Sequence, residues 1–248
     1  MPEEKQDKVL ATTPNERKTS AGNFQFSFLA DERYLNSPAH EAIDKLNLPD
    51  LFEKEADKVT KDLEITQPLE IVVEIPSDSG EELNYVIESL GIGARTLSDR
   101  KILFQFDPAN PHLLESLGKW RRRQIAHEIN HTARYEQQET LLDALIFEGL
   151  AVNYEENWGG EHQDTPWGHA LEPDQLKEEW QKAQKELNSP DYSHFVWFFG
   201  ENQEHPNWTG YTLGTAIVKK YLELHPGEPM KELVKKPSQE ILEQSKFV

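Results

Sequence analysis

His127-Glu128-Ile129-Asn130-His131, set within the run from Trp120 to Asn153, concentrates the chemistry of this chain. In an α-helix, residues four apart lie one turn apart on the same face, so His127 and His131 can present two imidazoles to one metal ion. Zinc is the expected metal, because imidazole nitrogen suits it and a catalytic zinc commonly keeps three protein ligands and one position open to water. Glu128 follows the first imidazole by one residue, rotated about 100° around the helix. Its carboxylate can therefore reach a water on the ion without ligating the ion, which makes Glu128 the expected base.

Glu148 stands 17 positions after His131, in Leu141-Leu142-Asp143-Ala144-Leu145-Ile146-Phe147-Glu148-Gly149-Leu150-Ala151-Val152. It is the only charge between Asp143 and Val152, and its helical neighbours Ala144, Leu145, Ala151 and Val152 are apolar. A carboxylate in such surroundings is costly to bury unless a cation, hydrogen bonds or protonation compensates. A metal ion would meet that need, although on the residues alone Glu139, Asp143 and Glu155 remain alternatives for the third ligand. Gly149 in mid-helix costs about 1 kcal/mol relative to Ala, which is tolerable where a missing side chain lets another helix approach closely.

HExxH followed by a helix carrying Glu-Gly-Leu-Ala resembles the gluzincin metallopeptidases, in which two His and one Glu bind zinc. A closer resemblance is to a bacterial family of predicted zinc-dependent proteases. It runs from about Ile65 to Leu222, through Ile102-Leu103-Phe104-Gln105-Phe106-Asp107-Pro108, the HEINH helix, the Glu148-Gly149-Leu150-Ala151 segment and Gly210-Tyr211-Thr212-Leu213-Gly214. The resemblance implies His127, His131 and Glu148 as zinc ligands, Glu128 as the catalytic base, and a peptide or protein as substrate. It also implies a zincin-like α+β fold: an N-terminal mixed sheet with backing helices, an HExxH helix near residues 114–136, and a mainly helical C-terminal lobe. Two departures stand out. Phe147 occupies the place of the Asn that often precedes the third ligand, and Val152 that of the Asp with which thermolysin-like enzymes brace a ligand His.

Zinc-assisted peptide hydrolysis also needs a donor for the developing oxyanion. Tyr211, in a segment that shares the family resemblance, is the first candidate, and His205 the second. In enzymes of the resembling kind, an edge strand pairs with the extended substrate, and the small side chains of Gly93 and Ala94 suit such an approach. The rival from another class is a catalytically silent binding or regulatory module on the same fold. The intact Glu128 weighs against it.

Composition narrows the partners. With 26 basic and 45 acidic residues the net charge is −19, which repels nucleic acid and anionic membrane surfaces at long range. Neither is an expected partner. Cysteine is absent, so thiolate ligands and a cysteine nucleophile are excluded. No apolar run reaches the length of a membrane span, and the charged N-terminus lacks the apolar segment of a secretory signal, so a cytoplasmic protein is expected.

Residues 1–22 read as a flexible tail, and 23–248 as one metallopeptidase unit with an N-lobe over 23–136 and a C-lobe over 137–248. Phe24, Phe26 and Phe28 alternate as a strand, and helices are expected over about 38–47 and 49–62. Strands follow at Leu69–Ile75, Gly91–Thr96 and Lys101–Phe106, the last two forming a hairpin. Arg121-Arg122-Arg123 reads as a solvated helix face with local ion pairs. The Trp, Gly and His mixture from Tyr154 to His169 suggests a loop at a cleft mouth, with His162 and His169 as surface residues. A charged helix is expected over Leu171–Leu187, and another opens at Trp208, with Gly214 permitting close packing.

Overall fold

Phe24, Phe26 and Phe28 turn one face of a strand into the interior, and all three are buried. In the computed structural model, which describes residues 16–21, 24–29, 32–74, 89–135, 137–160 and 162–248, that strand belongs to a mixed five-stranded sheet. Its members are β1 (Glu16–Ala21), β2 (Phe24–Leu29), β3 (Leu69–Glu74), β4 (Ile92–Ser98) and β5 (Lys101–Phe106), in the order β1-β2-β3-β5-β4. β2, β3 and β5 run parallel, while β1 and β4 are antiparallel to their neighbours. β5 is flanked on both sides and is buried from Ile102 to Phe106, as its apolar run, interrupted by the buried Gln105, requires.

Glu16–Ala21 corrects one expectation, since it is a sheet strand and not part of a flexible tail. A strand at a sheet edge is held by backbone hydrogen bonds, which a charged composition neither supplies nor forbids. Residues 1–15 and Gly22, the rest of that expected tail, lie outside the described residues.

The helices are α1 (Glu32–Leu35), α2 (His40–Asp44), α3 (Leu48–Asp62), α4 (Leu113–Lys119), α5 (Arg121–Thr132), α6 (Leu141–Asn157), α7 (Pro173–Ala183), α8 (His194–Phe199), α9 (Thr209–Leu224), α10 (Met230–Leu233) and α11 (Ser238–Ser245). In α3, Pro49 sits in the first turn, where its missing N–H costs nothing. Phe52, Ala56 and Val59 make the buried stripe, with Phe52 edge-on to Phe104 at 4.8 Å.

The single helix expected over 114–136 is instead two, α4 and α5, meeting at Trp120. The hydrogen-bond ladder nearly continues across the junction, from Trp120 N to Ser116 O and from Gln124 N to Trp120 O. The buried Trp120 indole lies 6.0 Å from that of Trp167, a tertiary contact at the junction that sequence periodicity does not register. α5 ends at Thr132, and just beyond it the buried Arg134 guanidinium donates to Val234 O at 3.0 Å, to Lys236 O and to Ser238 Oγ at 2.7 Å. Those bonds turn the chain toward the C-terminal helices.

Two apolar cores result. One lies between the sheet and α3, α4 and α5; the other lies among α6, α7, α8, α9 and the last helices. α5 packs against α3, β4 and α6, and α6 packs most extensively against α9. At that crossing a Cβ on Gly149 would strike the Gly214 carbonyl, and one on Gly214 would strike the Leu145 carbonyl. Both glycines are thus required by contact between backbones. Among the described residues, no helix is long and apolar enough to cross a membrane.

Candidate metal centre

α5 brings His127 and His131 to one face, and α6, packed across it, brings Glu148. Thr140 and Asp143 start α6 with a reciprocal cap, Asp143 N donating to Thr140 Oγ1 and Thr140 N to Asp143 Oδ2. Asp143 is thereby used as a cap, and Glu139 is exposed. Glu148 is the carboxylate that groups with the two imidazoles: ligand atoms of His127, His131 and Glu148 lie within 4.8 Å of one another, and all three residues are buried.

Glu148 Oε2 is 3.4 Å from His127 Nε2 and 3.4 Å from His131 Nε2. Donors held about 2.0–2.1 Å from one ion in tetrahedral geometry stand about 3.3 Å apart, so these separations fit a shared cation. The same Oε2 is buried with no hydrogen-bond partner. A buried carboxylate oxygen left unsatisfied between two imidazole nitrogens marks a missing polar partner. The donor set suits a divalent metal.

Electrostatics point the same way. Burial opposes protonation of His127, yet the carboxylates of Glu155, Glu148 and Glu128 outweigh it and hold the imidazole well above its usual range. Burial would raise Glu148, but His131 and His127 outweigh it and hold that carboxyl below the usual carboxylate range. Glu128 goes the other way: burial pushes it up, against the pull of His127, His131 and Thr96. Three carboxylates around two imidazoles make a buried field that favours a cation.

The surroundings of the two imidazoles differ. Glu155 Oε1 approaches His127 Nδ1 at 3.3 Å, without the alignment of a full hydrogen bond, and is itself held by Trp167 Nε1 at 2.8 Å. Glu155 is 1% exposed and stands one turn past Val152, so an acid that is absent at that position approaches His127 from three residues later. His131 is oriented by a ring, Phe147 lying flat on it with centroids 3.8 Å apart and planes 5° apart. Sequence reading noted both Glu155 and Phe147 and gave neither this role.

A cavity of about 260 Å³ opens on the group. Glu128, Ala94, Tyr211, Phe147 and His194 line it. Gly93 does not. Gly91 O accepts from Asp107 N, and Ile92 O faces Gln124 Nε2 at 3.5 Å on the other side. By the alternation of an antiparallel pair, Gly93 turns its backbone to β5 and Ala94 turns its own away from it. His205 lies elsewhere, paired with Glu179 and stacked on Trp197 at 3.8 Å, which corrects its candidacy as an oxyanion donor. Besides His127 and His131, the histidine that lines the cavity is His194, which sequence reading missed.

The loop after α6 is likewise not a cleft mouth. Trp167 serves Glu155, His169 bonds Glu156 Oε1 at 3.0 Å, and the half-exposed His162 pairs with Asp164 at 2.9 Å. Glu156, His162 and Asp164 also have ligand atoms within 4.8 Å of one another, but Glu156 Oε1 already accepts from Thr165 N and Thr165 Oγ1, so the cluster pins the loop. Nor is Arg121-Arg122-Arg123 a solvated face throughout. Arg123 is buried and donates to the carbonyls of Glu155, Glu156 and Gln163, capping the end of α6.

Over 107 residues the chain is 31% identical to the uncharacterized protein YjaZ of Bacillus subtilis (strain 168), which covers 40% of this chain and 41% of that protein. The match thus spans about two fifths of the relative's length. No solved structure matches. Residues 87–243 match the family described as Predicted Zn-dependent protease (DUF2268), a span that starts just before β4 and takes in both metal-facing helices, the cavity and α9. With well over half its length in that match, the chain belongs to this family of predicted Zn-dependent proteases.

Proposed function

We propose that this chain hydrolyses peptide bonds as a gluzincin-type zinc peptidase of zincin-like fold, with His127, His131 and Glu148 holding the ion. The observation that carries the reading is Glu148 Oε2, buried, without a hydrogen-bond partner and 3.4 Å from both imidazole nitrogens, beside a second carboxylate that is not in the group. Bound there, zinc supplies a Lewis acid that makes water nucleophilic near neutral pH.

Glu128 takes a proton from the attacking water at its carboxylate and returns it to the leaving amine. Burial raises its proton affinity, which suits a group that must both accept and donate. Tyr211, from α9, offers its phenol to the developing oxyanion, and His194, from α8, is the second donor on the same cavity. The outward-turned amide and carbonyl of Ala94 pair with an extended substrate along β4, while Gly93 contributes by keeping the strand slim beside it.

Purified chain assayed on casein and on a mixed peptide library tests this, with zinc counted per chain. Glu128→Gln should retain one zinc per chain and lose about 10²–10⁴-fold in cleavage. Cleavage undiminished in that variant, or zinc retained in full by Glu148→Gln, overturns the reading.

A further inference from the structure

We propose that Thr96 is the positioning residue for Glu128, so that the strand facing the substrate also sets the base; the proposal rests on the hydrolase reading above. Thr96 Oγ1 lies 2.8 Å from Glu128 Oε2 and 2.9 Å from the Glu128 carbonyl oxygen. A threonine has one O–H to donate, and the bond to a carboxylate is the stronger of the two. The hydroxyl therefore engages Oε2 and leaves Oε1 as the oxygen it does not hold.

That bond has a geometric task. Glu128 lines the same cavity as His127, His131 and Glu148, so a flexible buried glutamate could swing toward the imidazoles and join them as a further donor. Thr96 holds it on the β4 side. The strand is itself fastened to the helical segment at two points: Gln124 Nε2 reaches Ile92 O at 3.5 Å, and Tyr135 Oη donates to Leu97 O at 2.8 Å. Around the second point the strand register is irregular from Thr96 to Ser98, the kind of local break that re-aims a side chain. The separation of Thr96 from Glu128 is thus set before any substrate binds.

Thr96→Val removes the hydroxyl and keeps the shape; Thr96→Ser keeps the hydroxyl. The valine variant should lose about 10- to 100-fold in kcat with KM within about twofold and one zinc per chain, and the serine variant should recover at least about a third of wild-type kcat. A denaturation cycle reads the contact without substrate: the midpoint lost on Thr96→Val should shrink markedly in a Glu128→Ala background. Valine at wild-type kcat, serine as impaired as valine, or equal midpoint losses in both backgrounds overturns the proposal. If Glu128→Gln is inactive while Thr96→Val is fully active, only the role of Thr96 falls; if Glu128→Gln cleaves normally, the hydrolase reading falls with it.

Discussion

α5 and α6 meet at the candidate metal group, yet they are held by largely different means. The buried positions of α5 are largely polar, and directional bonds fix its rotation: Gln124 to Ile92 O, Thr96 to Glu128, and Arg123 to the carbonyls that end α6. α6 is apolar over most of its length and is seated by contact, with Gly149 against Gly214 and Phe147 flat on His131. A polar functional helix gains little orientation from burial alone, because apolar contact is non-directional. Hydrogen bonds give α5 its angle, whereas α6 is keyed mainly by the close fit of α9 backbone against Gly149 and Leu145, with one directional bond from Asn153 Nδ2 to Thr215 O at 3.1 Å. Glu148, next to Gly149, inherits its direction from that fit.

If the contrast holds, added volume should injure α6 most. Gly214→Ala should cost about 3 kcal/mol or more in chemical denaturation, because backbone carbonyls cannot retreat as side chains do. A loss below about 1 kcal/mol would mean that the helices part easily and that steric keying is the wrong description. Bond removal should injure the α5 side next. Arg134→Met strands the acceptors at Val234, Lys236 and Ser238, and about 2–3 kcal/mol should be lost.

Glu155→Gln sharpens the comparison at the site itself. Zinc affinity should fall about 10–100-fold by competition with a chromogenic chelator, the usual cost of losing an outer partner of a ligand histidine. Trp167→Phe, which removes the indole donor to Glu155 and trims the ring contact with Trp120, should follow in the same direction with a smaller change. An unchanged affinity in both would leave Phe147 as the sole orienting group in the pair of imidazoles.

The smallest effect is expected where both helices touch α3. Glu55 accepts from Trp158 Nε1 at 2.6 Å, just past the end of α6, and pairs with Arg122 of α5 at 3.3 Å. Burial would raise its carboxyl, but Trp158, Lys58 and Arg122 outweigh it and hold it below the usual value of 4.5. A folded value below the unfolded one adds stability above pH 4.5 that is lost as pH falls through the folded value. On acidification from pH 5 toward 3 (about the range where carboxyls titrate), wild type should lose more thermal stability than Glu55→Gln, by about 1 kcal/mol at most.

The legible parts of the site are those carried by one element. His127 and His131 were readable because a four-residue spacing is a property of a helix, and Glu148 because a lone charge in an apolar run is visible in any context. The hairpin Ile92–Phe106 was readable from two β-rich runs around a short polar turn. Glu155, Thr96 and His194 carried no comparable mark. Glu155 is one of two adjacent acids at the end of α6, Thr96 one of many threonines, and His194 stacks on Phe198 where His205 stacks on Trp197, a difference that only the fold makes. Arg123 looked like its exposed neighbour Arg122 until the end of α6 was found beneath it.

By itself, then, the amino-acid order determined the donor atoms, their spacing along each helix and the alternation that buries each strand, since these follow from local backbone geometry. Tertiary structure decided which way α6 faces, which further carboxylate approaches His127, that His194 and not His205 lines the cavity, and that the expected long helix divides at Trp120. Each of those choices depends on groups far apart in the chain meeting at atomic distance, and periodicity holds no record of such meetings.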